Sequence, residues 1–162
     1  MKKFLLALFA LIFIIPTQAS ILEVGISIND IPKDIFGSWQ VHAQLEETNA
    51  HSLFKPQSMD FWTLTRVNDR VILNNPFSGA NAEISIQSID NNLIVFSKRM
   101  PYDNNKILTD TVSIRLNENE FSGINTLRLE SYSLIDNHLM KTETATYHIN
   151  GKKISDESFI KK

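Results

Sequence analysis

The 162-residue chain contains no cysteine. That excludes a disulfide scaffold, a thiolate zinc site, a thiol nucleophile and a lipid-anchored cysteine. Glycine and proline number five each, too few for a collagen-like or linker-dominated chain. Neither sign of charge prevails. Sixteen basic residues face eighteen acidic ones, a formal net charge of −2, which leaves no basic footprint for nucleic acid. No Asn-x-Ser/Thr sequon occurs among the many asparagines. There is no Gly-x-Ser-x-Gly nucleophile elbow, no Gly-x-Gly-x-x-Gly turn and no phosphate loop. What is present, 43% hydrophobic and 21% charged residues, matches an ordinary globular domain. The length corresponds to one such domain.

Long apolar runs are also scarce. The most prominent covers residues 4–15, twelve residues, preceded by Met1-Lys2-Lys3 and followed by Pro16-Thr17-Gln18-Ala19. A positive start, a short apolar core and small residues at the −3 and −1 positions describe a secretory signal peptide cleaved after Ala19. A membrane-spanning helix needs about twenty apolar residues, and Pro16 interrupts this one. The alternative is an uncleaved anchor continuing through 21–28. Export predicts a periplasmic or secreted protein with no stable membrane anchor after cleavage, and a mature domain of residues 20–162. Removing Lys2 and Lys3 from the sixteen basic residues leaves fourteen against eighteen acidic, a net −4 that does not attract anionic partners.

The remainder reads as strands. Runs rich in Ile, Val, Thr, Phe and Tyr alternate with period two between Asn/Asp/Gly/Pro clusters. Eight strands are predicted, at 38–46, 59–67, 70–74, 81–89, 92–100, 106–117, 120–134 and 138–150. Turn chemistry sets their register. A turn at Asn68-Asp69 puts Trp62, Leu64, Val71 and Leu73 on one face. A turn at Asp90-Asn91 puts Ile84, Ile86, Leu93 and Val95 on one face and sends Ile94 and Phe96 outward as a self-association patch. A turn at 117–120 aligns Val112, Ile114, Leu116, Phe121, Leu127 and Leu129. Eight sequential antiparallel strands leave two exposed edges unless the first pairs with the eighth. The expected fold is therefore all-β, an eight-stranded antiparallel up-and-down barrel. A two-sheet β-sandwich is the alternative. The links after the first, third and fifth strands, at 47–58, 75–80 and 101–105, are longer than the even ones, as a cup with one mouth needs.

The segment Ile31-Pro32-Lys33-Asp34-Ile35-Phe36-Gly37-Ser38-Trp39-Gln40-Val41 resembles the entry to the first strand of lipocalins and their calycin relatives. There a 3₁₀ turn leads into Gly-x-Trp. The resemblance implies a lipocalin-like barrel in which Gly37 and Trp39 are structural, the Trp plugging the closed end. The family also carries a basic residue late in the last strand that packs over this Trp. A turn at Asp136-Asn137 puts His148 in the interior phase near that end, so the resemblance assigns His148 to that place. Thr109-Asp110-Thr111 matches only a fragment of the family's second motif, and the family's following helix is missing or reduced to 155–162.

Candidate chemistry is sparse. The four histidines, His42, His51, His138 and His148, show no metal-ligand spacing, so no metal and no cofactor is expected. No positioned acid, base or oxyanion donor is recognisable, and the expectation is a binding protein rather than an enzyme. Trp62 and Leu73 share an inward face and are candidates for a ligand cavity, with ordinary core packing as the alternative for Trp62. Phe54, Phe77 and Tyr102 sit in or beside the longer loops, where they would meet a ligand or partner, or fold down to seal the barrel. The Asp136-Asn137 register aligns Met140, Thr142, Thr144, Thr146 and His148 with Leu127 and Leu129, a hydroxyl-rich wall suited to a polar ligand. A β-bulge would instead turn Leu139, Ala145, Tyr147 and Ile149 inward. The favoured reading is a carrier of a small, mostly apolar molecule, with Trp62, Leu73, Phe77, Tyr102, Met140 and Thr142 at the cavity or mouth. The alternatives are an interaction or inhibitor module acting through loops 47–58, 75–80 and 101–105, and a calycin-type enzyme with an acid/base pair inside the cavity. Oligomeric state is not indicated.

Overall fold

The computed structural model describes residues 26–76 and 80–156; the predicted signal segment 1–19 and Phe77 lie outside these. Two 3₁₀ turns, Ile28–Asp30 and Lys33–Ile35, lead into eight strands. They are β1 Gly37–Thr48, β2 Gln57–Val67, β3 Arg70–Asn75, β4 Ala80–Asp90, β5 Leu93–Asp103, β6 Lys106–Asn117, β7 Glu120–Tyr132 and β8 Leu139–Ser155. Each pairs antiparallel with the next, and β1 pairs with β8, so the sheet closes in the order of the chain. This is an all-β, closed up-and-down barrel, compatible with a lipocalin-like fold, and not a sandwich. No helix among the described residues is long and apolar enough to cross a membrane.

Three two-residue turns close one end: Asn68-Asp69, Asn91-Asn92 and Glu118-Asn119. The first residue of each has positive φ, at 56°, 54° and 53°. Asparagine adopts that conformation at modest cost. The first and third turns match the expected registers, and Leu64, Val71, Leu73, Val112, Ile114, Leu116 and Phe121 are buried together.

The second register is corrected. Asp90 pairs with Leu93, so the turn is one residue later than the Asp90-Asn91 expected. Asn92 is fixed there by β6: its backbone carbonyl accepts from Leu116 N at 2.8 Å, and its side-chain amide donates to Leu116 O at 2.9 Å. A one-residue slip exchanges the faces of a strand. Ile94 and Phe96 are accordingly buried in the core, 0% and 2% exposed, and form no outer patch. A bulge between Ile86 and Ser88 restores the phase of β4, so that Ile84 and Ile86 stay inward.

The last hairpin follows the bulged alternative, which corrects the Asp136-Asn137 register and the interior placement of Met140, Thr142 and His148. Its link spans 133–138, and Met140 is skipped where Ser131 pairs with Lys141 and Tyr132 with Leu139. This bulge turns Ala145, Tyr147 and Ile149 inward, 1–6% exposed. Met140 is 65% exposed, and Thr142, Thr144, Thr146 and His148 alternate to the outer face. Leu139, which the bulge was expected to turn inward, is 46% exposed. The fifth link is also shorter than expected, a tight Asn104-Asn105 turn between Asp103 and Lys106. Longer links at 49–56 and 133–138 share one end, opposite the three two-residue turns.

At the tight end Trp39 is fully buried. Its indole N–H donates to the Ile35 carbonyl at 2.8 Å, which ties the second 3₁₀ turn beneath the barrel. Phe121 packs against it with ring centroids 5.1 Å apart. Gly37 has φ of 121°, and a Cβ there would overlap the Ser155 carbonyl oxygen. Both constraints require glycine. The basic residue over the Trp39 ring is Lys153, not His148: its Nζ stands 5.4 Å from the ring centroid, and its side chain is 7% exposed. The shifted phase of β8 is what separates His148 from this role.

Candidate ligand-binding cavity

Above the plug the barrel encloses a cavity of about 410 Å³. This falls within the range of about 300–1,000 Å³ common for small-molecule pockets. Clefts of 540–600 Å³ beside Arg115 and His148 lie on the outer surface, and one of 540 Å³ beside Arg70 lies between the first 3₁₀ turn and β3–β4.

The cavity floor is aromatic. Trp62 stacks on Phe121 with centroids 5.8 Å apart and 20° between planes, and meets Phe96 edge-on at 6.4 Å. Leu73, Ile84, Val112 and Leu127 form apolar walls. Phe54 covers the opening from the 49–56 loop and is 9% exposed. That loop is pinned in several places. The Tyr147 hydroxyl donates to Lys55 O at 3.0 Å, and Leu45 N donates to Pro56 O at 2.8 Å. Thr48 and Asn49 bond the backbone of Thr144 on β8. Burial pushes the Tyr147 phenol above its ordinary pKa, so it stays a hydroxyl donor across the neutral range.

Between floor and opening runs a polar belt. Lys98 on β5 lies directly across from Asp110 on β6, with Nζ 3.3 Å from Oδ2. Asn125 on β7 donates to Asp110 Oδ1 at 2.5 Å and to Thr111 O at 3.2 Å. Across the cavity, Asp60 on β2 accepts from Trp62 Nε1 at 3.3 Å, from the Asn75 amide and from Phe61 N. Five polar side chains from five strands thus sit one alternation step above the aromatic floor. Their mutual bonds offset the cost of placing polar groups in a barrel interior.

Against known proteins, the chain matches no family model, no curated protein and no solved structure. The site is therefore read from its own residues.

Of the candidates from the sequence, Trp62 and Leu73 line the cavity. Gly37 and Trp39 are at the plug. Tyr102 is 57% exposed at the Asn104-Asn105 hairpin, away from the lining among the described residues. Met140, Thr142 and His148 are displaced to the outer face by the β8 bulge. No group of three His, Cys, Asp or Glu among the described residues could hold a metal ion. Reasoning from sequence missed Phe96, whose strand slipped phase, and also Asp60, Lys98, Asp110 and Asn125, whereas Tyr147 stands inward as the bulged alternative for the last strand has it. Three of these were legible. Asp60 alternates with Trp62 and Leu64, Asp110 with Val112 and Ile114, and Asn125 with Leu127 and Leu129, so each belonged to a face already assigned to the interior.

Proposed function

We propose that the protein is an exported, lipocalin-like carrier that takes a small, mostly apolar molecule into the barrel. The single observation that carries this reading is the cavity of about 410 Å³ with an aromatic floor, above a plugged end and beneath the longer loops. Burying an apolar ligand there releases water from Trp62, Leu73, Phe96 and Leu127 at roughly 25 cal/mol per Å². The interior also holds the acidic and basic groups an enzymatic reading requires. Lys98, Asp110 and Asn125 bond one another, however, and Asp60 is held by three donors, an arrangement that supports binding over proton transfer.

The test is titration with N-phenyl-1-naphthylamine, a neutral apolar fluorophore. The expected result is saturable enhancement at one site per chain, abolished by Leu73→Trp, which fills the cavity. Enhancement that survives Leu73→Trp would overturn the assignment. The export part is tested by N-terminal sequencing of secreted protein, with Ser20 as the expected first residue.

A second reading, an interaction module working through its loops, is favoured by Leu134 and Ile135, which are 79% and 97% exposed on the 133–138 loop. Recovery of one stable protein partner, lost on Ile135→Asp while probe binding persists, would support it.

A further inference from the structure

We infer that the cavity selects amphiphiles with a cationic head, in the class of alkyl or arylalkyl amines, and that Asp60 is the residue that receives the head. This rests on the cavity being the ligand site. The polar belt holds three charged side chains, and they are not equivalent. Lys98 is answered by Asp110 at 3.3 Å, and Asp110 accepts from Asn125 as well. Among the described residues Asp60 accepts only from neutral donors, namely the Trp62 indole, the Asn75 amide and Phe61 N. None of the ion pairs among the described residues includes it. Lys55, the other basic residue at the cavity, lies on the covering loop with an exposed side chain. The belt thus carries one negative charge without a cation.

The position of that charge matters. Asp60 stands two residues before Trp62 on the same inward face of β2, one step above the floor. An apolar tail reaching down between Leu73, Phe96 and Leu127 leaves its head at the level of Asp60. A protonated amine there gains a charge-assisted hydrogen bond to the carboxylate. A carboxylate head gains no such bond and meets Asp60 as a like charge.

The experiment compares decylamine, decanol and decanoate, which differ only in the head, by isothermal titration calorimetry on the wild-type protein and on Asp60→Asn. The inference predicts that decylamine binds the wild type about tenfold or more tighter than decanol, and decanoate more weakly than either. Asp60→Asn is expected to remove the preference for the amine, bringing decylamine and decanol to within about twofold of each other, with an unchanged cooperative urea transition showing that the variant is folded. Decanoate binding as tightly as decylamine, or an amine preference that survives Asp60→Asn, overturns the inference and leaves the cavity reading standing. If all three fail to bind the wild type, the cavity reading itself falls.

Discussion

The two ends of the barrel are built from the same eight strands with the same alternation, yet they are filled in opposite ways. At the tight end, three two-residue turns bring the strands together around Trp39, Phe121, Leu116 and Ile114, all buried, with Gly37 admitting the close approach of β8. At the other end, the inward positions of the same strands carry Asp60, Lys98, Asp110 and Asn125, and two links lengthen to 49–56 and 133–138. Packing density at one end contributes stability. Partial filling and paired polar groups at the other leave room for a ligand, at some cost in stability. A sheet closed on itself lets these two demands be met a few residues apart on each strand.

Substitutions can break that division. The largest effect is expected from Trp39→Ala, which removes the plug and leaves a void among Phe121, Ile35 and Lys153. It should destabilise the fold by about 3–5 kcal/mol, measured by urea unfolding. A loss no larger than that of a surface substitution would show that the tight end is not the stabilising one.

The belt gives a smaller effect with a distinctive sign. Lys98→Met leaves Asp110 without its cation and is expected to cost about 1–2 kcal/mol, since water still reaches the pair. The double variant Lys98→Met, Asp110→Leu should recover most of that loss, because replacing both partners removes the unpaired charge. If the double variant is no more stable than the single, the pair is not acting as a unit.

The smallest effect lies outside both regions, at the 133–138 loop. Hydrogen bonds from Ser133 and then His138 hold the Asp136 carboxyl below its ordinary value. A lowered folded value means that the contribution is present above the ordinary aspartate range and is lost as pH falls through the lowered value. Asp136 is fully exposed, so the change should be local. Acid titration followed by amide resonances is expected to move Ser133 and Asn137 below the usual aspartate range, and Asp136→Asn is expected to abolish that movement. Movement at the ordinary value would contradict the bonded geometry.

Much of this architecture was legible from residues alone, and the failures share one cause. Strand existence followed from β-branched runs. Register followed wherever a two-residue turn separated two strands without a bulge, as at Asn68-Asp69 and Glu118-Asn119. It failed at Asn92 and at Met140. In the first case the asparagine is anchored by hydrogen bonds to β6, a strand more than twenty residues away in sequence. In the second, a single skipped residue carries no local signature. Those two slips misplaced Phe96, Met140, Thr142 and His148, and hid Lys153 as the cation over Trp39. The polar belt went unread for another reason. Lone charged residues on an inward face look like solvated ones until closure shows that Lys98 and Asp110 are opposite each other, and that Asp60 looks across at them.

The two tryptophans report the two ends separately, and one spectrum therefore tests the division most directly. The Trp62 indole N–H donates to Asp60 in the cavity, and the Trp39 indole N–H donates to Ile35 O beneath the plug. In a ¹H–¹⁵N correlation spectrum recorded during titration with N-phenyl-1-naphthylamine, the Trp62 indole resonance is expected to shift saturably while that of Trp39 stays in place. A Trp39 resonance that moves as far as that of Trp62, or a Trp62 resonance that does not move while the probe binds, would contradict a carrier with one filled end and one receptive end.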